Sequence, residues 1–179
     1  MIYMFLAEGF EEVEALAPLD LIRRAGLEIK TVGVGSKVIL GAHGIPVTAD
    51  ITESEFLDNA PDMVILPGGM PGTKNLDANK TVHKAIADAV KNDAYVCAIC
   101  AAPMILGKLG LLRGKSAVCY PGFEEYLDGA TIPDKKVVLD GKVITAKGMG
   151  AAVEFGLAIV AELRDEKTAD DLAVATIAK

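Results

Sequence analysis

The sequence predicts an α/β domain built as a three-layer sandwich, with a mainly parallel central sheet between two layers of helices. Short, continuously apolar runs alternate with segments of helical period, a pattern typical of a parallel sheet that is covered on both faces. The chain has 179 residues, which suits a single domain with one core. Because it contains no repeat, low-complexity tract or long linker, we predict one domain over residues 1–179.

The first half of the chain supplies three strands of the sheet and one long helix. Ile2–Leu6 is predicted as a buried strand because five apolar residues follow one another. A helix over Glu11–Ala25 follows, and Gly26 suits its C-terminal cap. The other elements are a strand, a small hairpin divided by glycines, and a core strand that opens into a Gly/Pro-rich loop: Ile29–Val34, Val38–Leu40 with Ile45–Thr48, and Met63–Leu66.

The second half adds a fourth core strand and ends in two helices. Apolar residues on one side predict a helix over Val82–Lys91, and the run Tyr95–Ile99 predicts a buried strand before a helix over Ala101–Leu109. The Asp140-Gly141 pair predicts a hairpin turn. The hairpin strands and the closing helices are Lys136–Val138 with Lys142–Ala146, and Ala151–Leu163 with Asp165–Ala178.

Composition and charge argue against several classes of protein. The formal net charge of −7 and the lack of a basic stripe argue against nucleic-acid binding. The most apolar stretch, residues 94–112, is interrupted by Pro103, Gly107 and Lys108, so it does not supply the ~20 apolar residues of a membrane span. The N-terminus lacks the basic region of a signal peptide, and three cysteines without an export signal are expected to be reduced. We expect a cytoplasmic protein.

The best candidate for a reactive group is Cys100, at the point where the fourth core strand ends. The apolar run stops at Cys100, and the small residues Ala101 and Ala102 follow directly before a helix. Such a tight strand-to-helix turn, a nucleophile elbow, needs small neighbours and lifts one side chain into a pocket. The positive end of the helix is expected to lower the pKa of the thiol and make a thiolate. The alternative is an inert buried cysteine.

Cys97 and Cys100 together spell Cys-x-x-Cys, a spacing also found in redox pairs and metal sites. If Cys97 lies in the strand, the two residues are about 10 Å apart at ~3.3 Å per residue, whereas a disulfide needs Cα atoms within ~7 Å. A zinc site would need two more ligands, and His43, His83 and Cys119 are scattered without ligand spacing. We therefore interpret Cys97 as a core residue and predict no metal site.

Glycines after the third core strand can complete a site around Cys100. Gly68 and Gly69 have no Cβ, so their backbone N–H groups can approach a ligand closely. Together with the N–H of Ala101, this loop can form an oxyanion hole. The alternative is an ordinary turn.

Glu14 is the candidate proton carrier, because it lies among apolar neighbours in the first predicted helix. Burial among such neighbours favours the protonated carboxyl, which can donate to a thiolate or shuttle a proton. An ordinary helix glutamate is the alternative. For Glu11 and Glu12 we expect only that they complement the helix dipole.

Four motifs occur together and in order along the whole chain. They are Gly9-Phe-Glu-Glu-Val-Glu14 with Arg23-Arg24-Ala25-Gly26, Val64-Ile-Leu-Pro-Gly-Gly69, Ala98-Ile-Cys-Ala-Ala-Pro103, and Gly148-Met-Gly150 with Glu154-Phe-Gly-Leu-Ala158. This combination resembles the ThiJ/PfpI superfamily, in particular the branch of the parkinsonism-associated deglycase and bacterial YajL. The resemblance implies a flavodoxin-like fold, a homodimer and no cofactor. It also implies that Cys100 is the nucleophile, that protonated Glu14 hydrogen-bonds its sulfur, and that Gly69 and Ala101 are the oxyanion donors.

The sequence departs from that family pattern at three candidate pocket residues. Tyr120 stands where many relatives have a histidine, so there is no Cys/His dyad and proton transfer must depend mainly on Glu14. His43 stands where relatives often have an arginine, and it is either a polar group of the pocket or an exposed loop residue. Met149 replaces a common proline, which can reshape the pocket.

The resemblance implies a cysteine-dependent glyoxalase or deglycase that acts on small reactive carbonyl compounds such as methylglyoxal, or on their adducts. The alternative is a redox-sensing stress-response protein in which Cys100 is oxidised to a sulfinate. A cysteine peptidase or an amidotransferase-like hydrolase is less favoured without the histidine. The first helix also has apolar residues around most of its circumference, which predicts a dimer that buries part of it: Val13, Leu16, Leu19, Leu21 and Ile22.

Overall fold

A seven-stranded sheet forms the centre of the computed structural model, which describes residues 1–56 and 60–179. Along the sheet the strands have the order β5-β2-β1-β6-β7-β9-β8, and β3 pairs with β4 in a separate hairpin. Neighbouring strands of the sheet are parallel except for β8 and β9. The strands are β1 (Ile2–Leu6), β2 (Ile29–Gly33), β3 (Val38–Leu40), β4 (Pro46–Thr48), β5 (Ile51–Thr52), β6 (Met63–Leu66), β7 (Tyr95–Ile99), β8 (Val137–Asp140) and β9 (Val143–Ala146).

Helices cover both faces of the sheet, which confirms the predicted three-layer sandwich. The helices are α1 (Glu12–Arg24), α2 (Gly72–Asp77), α3 (Lys80–Lys91), α4 (Pro103–Lys108), α5 (Ala152–Leu163) and α6 (Glu166–Ala175). Residues of α1 and α5 pack with Met4 and Ile65 in one apolar cluster, whereas residues of α3 and α4 pack with Phe5 and Val64 in the other. Adjacent residues of β1 and of β6 thus face opposite layers, as the continuous apolar runs predicted.

The structure adds two short elements and moves one turn. The loop predicted after β6 contains α2, and β5 extends one edge of the sheet. Neither is long enough to show a periodic pattern in the sequence, and β5 exists only through its pairing with β2. In the β8–β9 hairpin Asp140 pairs with Val143, so the turn residues are Gly141 and Lys142 rather than Asp140 and Gly141.

Packing within the chain accounts for most of the apolar circumference of α1. Leu19 and Ile22 are buried in the core of the chain. Leu21 lies against α5, where a Cβ on Gly156 would be 2.8 Å from its Cδ1 atom. Only Val13 and Leu16 remain exposed. Among the described residues, no helix has both the length and the apolar character to cross a membrane.

The order of the strands determines where a site can form. After β1 the chain moves to β2 on one side, and later β6 is added to β1 on the other side. Ligand sites of open α/β sheets lie beyond the carboxyl ends of the strands at such a switch point. The segments that follow β1, β6 and β7 contain Glu14, Gly68 and Cys100 respectively.

Candidate active site

Cys100 has the backbone geometry of a nucleophile elbow. It directly follows β7, and its φ of +64° lies in the left-handed region, which is uncommon for a residue with a Cβ. Hydrogen bonds hold this backbone on both sides. The Cys100 N–H donates to the carbonyl of Ala146 at 2.9 Å, and the Tyr120 N–H donates to the Cys100 carbonyl at 2.7 Å. Strain that is fixed in this way is common at functional residues.

Glu14 lies in the first turn of α1 and is almost completely buried, with 1% of its surface exposed. The Gly68 N–H donates to its Oε2 atom at 3.0 Å. The carboxyl is also hydrogen-bonded to the Cys100 side chain and accepts from the Met149 N–H. The acid and the sulfur therefore come from different strand ends and form a direct pair.

Gly68 makes this close approach possible. A Cβ at this position would be 2.5 Å from the Cys100 Cβ and 2.6 Å from Glu14 Oε2. No side chain fits between them, so the glycine is required by packing at the site. Gly69 has a φ of +88°, and a Cβ there would be 2.4 Å from the Glu11 backbone nitrogen.

Burial strongly affects the titration of both groups. It raises the pKa of the Glu14 carboxyl to about 7, with a further contribution from the charge of Glu11. Burial also raises the pKa of the Cys100 thiol to about 12, and the charge of Glu14 and its hydrogen bond add to this rise. The N–H groups of Gly69 and Ala101 donate to the sulfur and act in the opposite direction.

The sequence-based prediction of a lowered thiol pKa therefore has the wrong direction while Glu14 is ionised. The helix after the elbow has only six residues, and its positive end does not outweigh desolvation of the sulfur. The contributions from Glu14 depend on its charge, however. When Glu14 holds the proton it no longer repels a thiolate, and its O–H can donate to the sulfur. Protonation of Glu14 therefore removes two of the causes that raise the thiol pKa, whereas desolvation of the sulfur remains.

The three predicted pocket residues have different places. Tyr120 and Met149 lie at the solvent side of the site with 50% and 55% of their surfaces exposed. A Cβ on Gly148 would be 3.3 Å from Tyr120 Cδ2 and 3.8 Å from Glu14 Oε1, so the ring and the carboxyl both border the space next to Gly148.

His43 is an exposed residue of the β3–β4 hairpin and pairs with acids other than Glu14. Its Nδ1 atom is 2.9 Å from Glu12 Oε2 and 3.4 Å from Glu11 Oε2. The hydrogen bond to Glu12 and the charges of both acids raise the pKa of His43. Of the two interpretations of His43, the structure favours the exposed loop residue.

Glu12 is a buried residue whose role the sequence interpretation missed. It is 3% exposed, and its Oε1 atom accepts the N–H groups of His43 at 2.8 Å and of Ile45 at 3.4 Å. Burial by itself would raise the pKa of Glu12, but hydrogen bonds from His43 and Ile45 lower it below its ordinary value. Glu12 connects the β3–β4 hairpin to α1 through these hydrogen bonds. Complementing the helix dipole is therefore not its main role. The run of acids before the helix was the only sequence signal.

Glu11, Glu12 and His43 also have ligand-type atoms within 4.8 Å of one another. The sequence did not predict this grouping, because His43 was considered as a metal ligand only together with the cysteines. Both oxygens of Glu12 already accept hydrogen bonds from the hairpin.

The remaining cysteines lie outside the site. All three cysteines are free, and Cys97 and Cys119 are buried whereas Cys100 is partly exposed. Cys97 is fully enclosed in the apolar cluster beside α1 and α5, which confirms its interpretation as a core residue.

Comparison with known proteins gives consistent matches. Residues 1–162 match the sequence model of the DJ-1/PfpI family. The chain is 31% identical over 163 residues to Glutathione-independent glyoxalase DJR-1.2 from Caenorhabditis elegans, which covers 90% of this chain and 87% of that protein. It is 36% identical to Protein DJ-1 homolog B from Arabidopsis thaliana over 92% of this chain, but it spans only 38% of the length of that relative.

Solved structures have the same fold. A mutant of a DJ-1 superfamily protein from Salmonella typhimurium is 34% identical, with a TM-score of 0.93 over 98% of this chain and 97% of that chain. Oxidized DJ-1 from Toxoplasma gondii is 28% identical, with a TM-score of 0.94 over 98% of this chain and 97% of that chain. The similarity therefore extends over essentially the whole chain, and the fold is the flavodoxin-like one that the motifs implied.

Proposed function

The chain belongs to the DJ-1/PfpI family, and from this premise we propose that it is a cysteine-dependent enzyme of the glyoxalase or deglycase type. Its substrates are small 2-oxoaldehydes such as methylglyoxal, or their adducts. The observation that carries the proposal is the direct pairing of Cys100 with buried Glu14 beneath the backbone donors of Gly69 and Ala101. A relative that is 31% identical is named a glutathione-independent glyoxalase, which supports the same reaction class.

The reaction begins with attack of the Cys100 sulfur on the aldehyde carbon. A carbon–sulfur bond forms, the carbonyl oxygen becomes an oxyanion, and the thiol proton is held by Glu14. The N–H groups of Gly69 and Ala101, which donate to the sulfur in the free site, are placed to stabilise the oxyanion that forms next to it. Protonation of the oxyanion gives a hemithioacetal.

Glu14 then moves a proton between two carbons. As a carboxylate it removes the hydrogen from the former aldehyde carbon, and as a carboxylic acid it returns a proton to the adjacent carbon. The hydroxyl proton of the hemithioacetal passes to the oxygen of that adjacent carbon. Burial raises the pKa of Glu14 to about 7, which suits a group that must accept and donate protons at neutral pH. The product is a thioester, and water releases lactate and the free thiol. Methylglyoxal and one water give lactic acid, so no cofactor enters the balance.

Lactate formation tests the proposal. Purified protein should convert methylglyoxal to lactate without glutathione, and Cys100→Ala should abolish the conversion. Cys119→Ala is the matched control, because Cys119 is buried and outside the site. Undiminished turnover by Cys100→Ala would exclude Cys100 as the nucleophile.

Oxidation of Cys100 is a second candidate function, favoured by two observations. Only Cys100 of the three cysteines is partly exposed, and the Toxoplasma gondii relative was solved in an oxidized form. Two equivalents of peroxide would convert the thiolate to a sulfinate with release of two waters. Intact-mass analysis after mild peroxide should show two added oxygens at Cys100. Oxidation confined to methionines would exclude this function.

We also propose a homodimer that forms through the exposed end of α1. Val13 and Leu16 are exposed there, close to exposed apolar residues of the β3–β4 hairpin. Light scattering at micromolar concentration should give the mass of two chains, and Leu16→Lys should give one. A wild-type monomer under these conditions would contradict the proposal. A cytoplasmic location remains a prediction.

A further inference from the structure

One side of the Cys100 side chain is closed to a substrate. Gly68 closes the inner side, because even a Cβ there would be 2.5 Å from the Cys100 Cβ and 3.0 Å from the carbonyl oxygen of Ile99. Glu14 is buried against the same glycine. A substituent on a bound aldehyde must therefore extend outward, towards solvent.

Three exposed large side chains, all apolar or aromatic, belong to residues whose backbone adjoins the site. Met70, Tyr120 and Met149 are 37%, 50% and 55% exposed, and we call them the rim. Each is fixed to the site by its backbone. Met70 follows Gly69, the Tyr120 N–H donates to the Cys100 carbonyl at 2.7 Å, and the Met149 N–H donates to the Glu14 carboxyl.

The rim can bind an aromatic group better than a methyl group. Tyrosine gives a flat face for ring stacking, and methionine sulfur makes favourable contacts with ring edges. A methyl group, in contrast, is too short to reach beyond the backbone donors and bury much of this surface. Exposed aromatic and methionine side chains next to a reactive group are thus suited to a specific substituent.

Charge near the rim disfavours anions. The carboxylates of Glu11 and Glu14 interact at the site, and the chain has a formal net charge of −7. Lys147, which precedes Gly148 next to the rim, is paired with Asp134 at 2.9 Å. A negatively charged substrate or reagent therefore meets mainly repulsion.

We propose that Tyr120, with Met70 and Met149, selects uncharged 2-oxoaldehydes that have an aromatic or long apolar substituent, such as phenylglyoxal, over methylglyoxal. This inference rests on the proposed function, because it assigns a substrate class to the same cysteine. Tyr120 acts as the main specificity residue, since its backbone is bonded to Cys100 and its ring borders the same space next to Gly148 as the Glu14 carboxyl.

Alkylation of Cys100 tests the rim without any need for turnover. Iodoacetanilide, iodoacetamide and iodoacetate have the same reacting group with an aromatic, a small neutral and an anionic substituent. Each rate at Cys100 is divided by the rate with free N-acetylcysteine, and the site is identified by peptide mass. We expect the anilide to be favoured over the amide by about tenfold, the size of an aromatic contact, and iodoacetate to be the slowest.

Variants at Tyr120 test whether the preference for the anilide comes from the rim. Tyr120→Ala should remove most of the preference for the anilide, and Tyr120→Phe should keep it. Ile132→Ala, a change at a residue that is 45% exposed outside the rim, is the matched control. An equal preference in wild-type protein and Tyr120→Ala would overturn the inference.

Steady-state kinetics with phenylglyoxal and methylglyoxal then separates this inference from the proposed function. Turnover of both substrates with a ratio of kcat/KM that Tyr120→Ala leaves unchanged overturns the inference alone. Absence of turnover with both substrates overturns the proposed enzyme, whereas the alkylation ratios still decide the role of the rim.

Discussion

Glu12 and Glu14 lie in the same turn of α1 and both have almost no exposed surface, but their pKa values are shifted in opposite directions. Burial raises the pKa of Glu14 to about 7. For Glu12, burial is outweighed by the hydrogen bonds of His43 and Ile45, so its pKa is lowered. The comparison shows that burial alone does not determine the protonation of a carboxyl. Glu14 also accepts hydrogen bonds, but its desolvation and the charge of Glu11 outweigh them, whereas at Glu12 the hydrogen bonds outweigh desolvation.

The largest expected effect comes from replacing each acid by its amide. Glu14→Gln removes the proton carrier beside Cys100, and we expect the rate of lactate formation to fall by roughly 100-fold or more. Glu12→Gln keeps a polar side chain in the hairpin contact and should leave the rate close to that of the wild type. Steady-state kinetics with methylglyoxal measures both. Similar losses in the two variants would mean that the acids do not have separate roles.

Stability should depend on pH with opposite signs for the two acids. The folded pKa of Glu14, about 7, lies above its ordinary value of 4.5. Its contribution to stability is therefore complete below pH 4.5 and is lost as the pH rises to about 7. At about 1.4 kcal/mol per unit, this loss is roughly 3 kcal/mol. The pKa of Glu12 is lowered, so its contribution is present above 4.5 and is lost as the pH falls.

Urea unfolding at a series of pH values measures these slopes. The difference between wild type and Glu14→Gln should decrease as the pH rises from 4.5 to 7, whereas the difference for Glu12→Gln should change only at lower pH. A flat difference for Glu14→Gln between pH 4.5 and 7 would show that Glu14 is ionised throughout.

A glycine lies next to each acid, and replacing each glycine by alanine should change the two surroundings less than replacing the acids does. Gly68→Ala places a Cβ 2.5 Å from the Cys100 Cβ and 3.0 Å from the Ile99 carbonyl oxygen. These atoms are fixed by the backbone, and we expect a loss of about 1–3 kcal/mol in the free energy of unfolding, together with a loss of activity. Gly41→Ala meets the end of the Glu12 side chain, 2.2 Å from Oε1. It should reduce stability less and leave activity in place.

Denaturant melts and lactate assays distinguish these two variants. Gly150→Ala is the control, because a Cβ at Gly150 has no neighbour within 4 Å in the described part of the chain. Activity that survives in Gly68→Ala would contradict the requirement for a glycine at that position.

The smallest effect is expected from His43→Asn. The substitution removes the ring contact to Glu12 but keeps the backbone N–H that donates to Glu12 Oε1. The pKa of Glu12 should rise, so acid unfolding should begin at a slightly higher pH than in the wild type. Circular dichroism during acid titration measures this shift. Because His43 does not contact Glu14, activity at neutral pH should not change, and a clear loss would connect the hairpin to the reacting groups.

Most of the fold could be predicted from the sequence because its signals are local. Apolar runs predicted the core strands, and the Asp-Gly pair predicted the β8–β9 hairpin within one residue of its turn. The two-residue strand β5 and the six-residue helix α2 were not predicted, because their stability comes from tertiary contacts and not from a pattern in the sequence.

The sequence by itself determined which residues are candidates for the site. A cysteine with small neighbours between a strand and a helix, a Gly-Gly loop and an acid among apolar residues are all local features, and they placed Cys100, Gly68, Gly69 and Glu14 among the candidates. Only the tertiary structure decided how their protons are distributed. Desolvation, neighbouring charges and the hydrogen bonds that each acid accepts depend on segments that are distant in sequence. For that reason Glu12 and Glu14, which look alike in the sequence, have opposite pKa shifts in the folded chain.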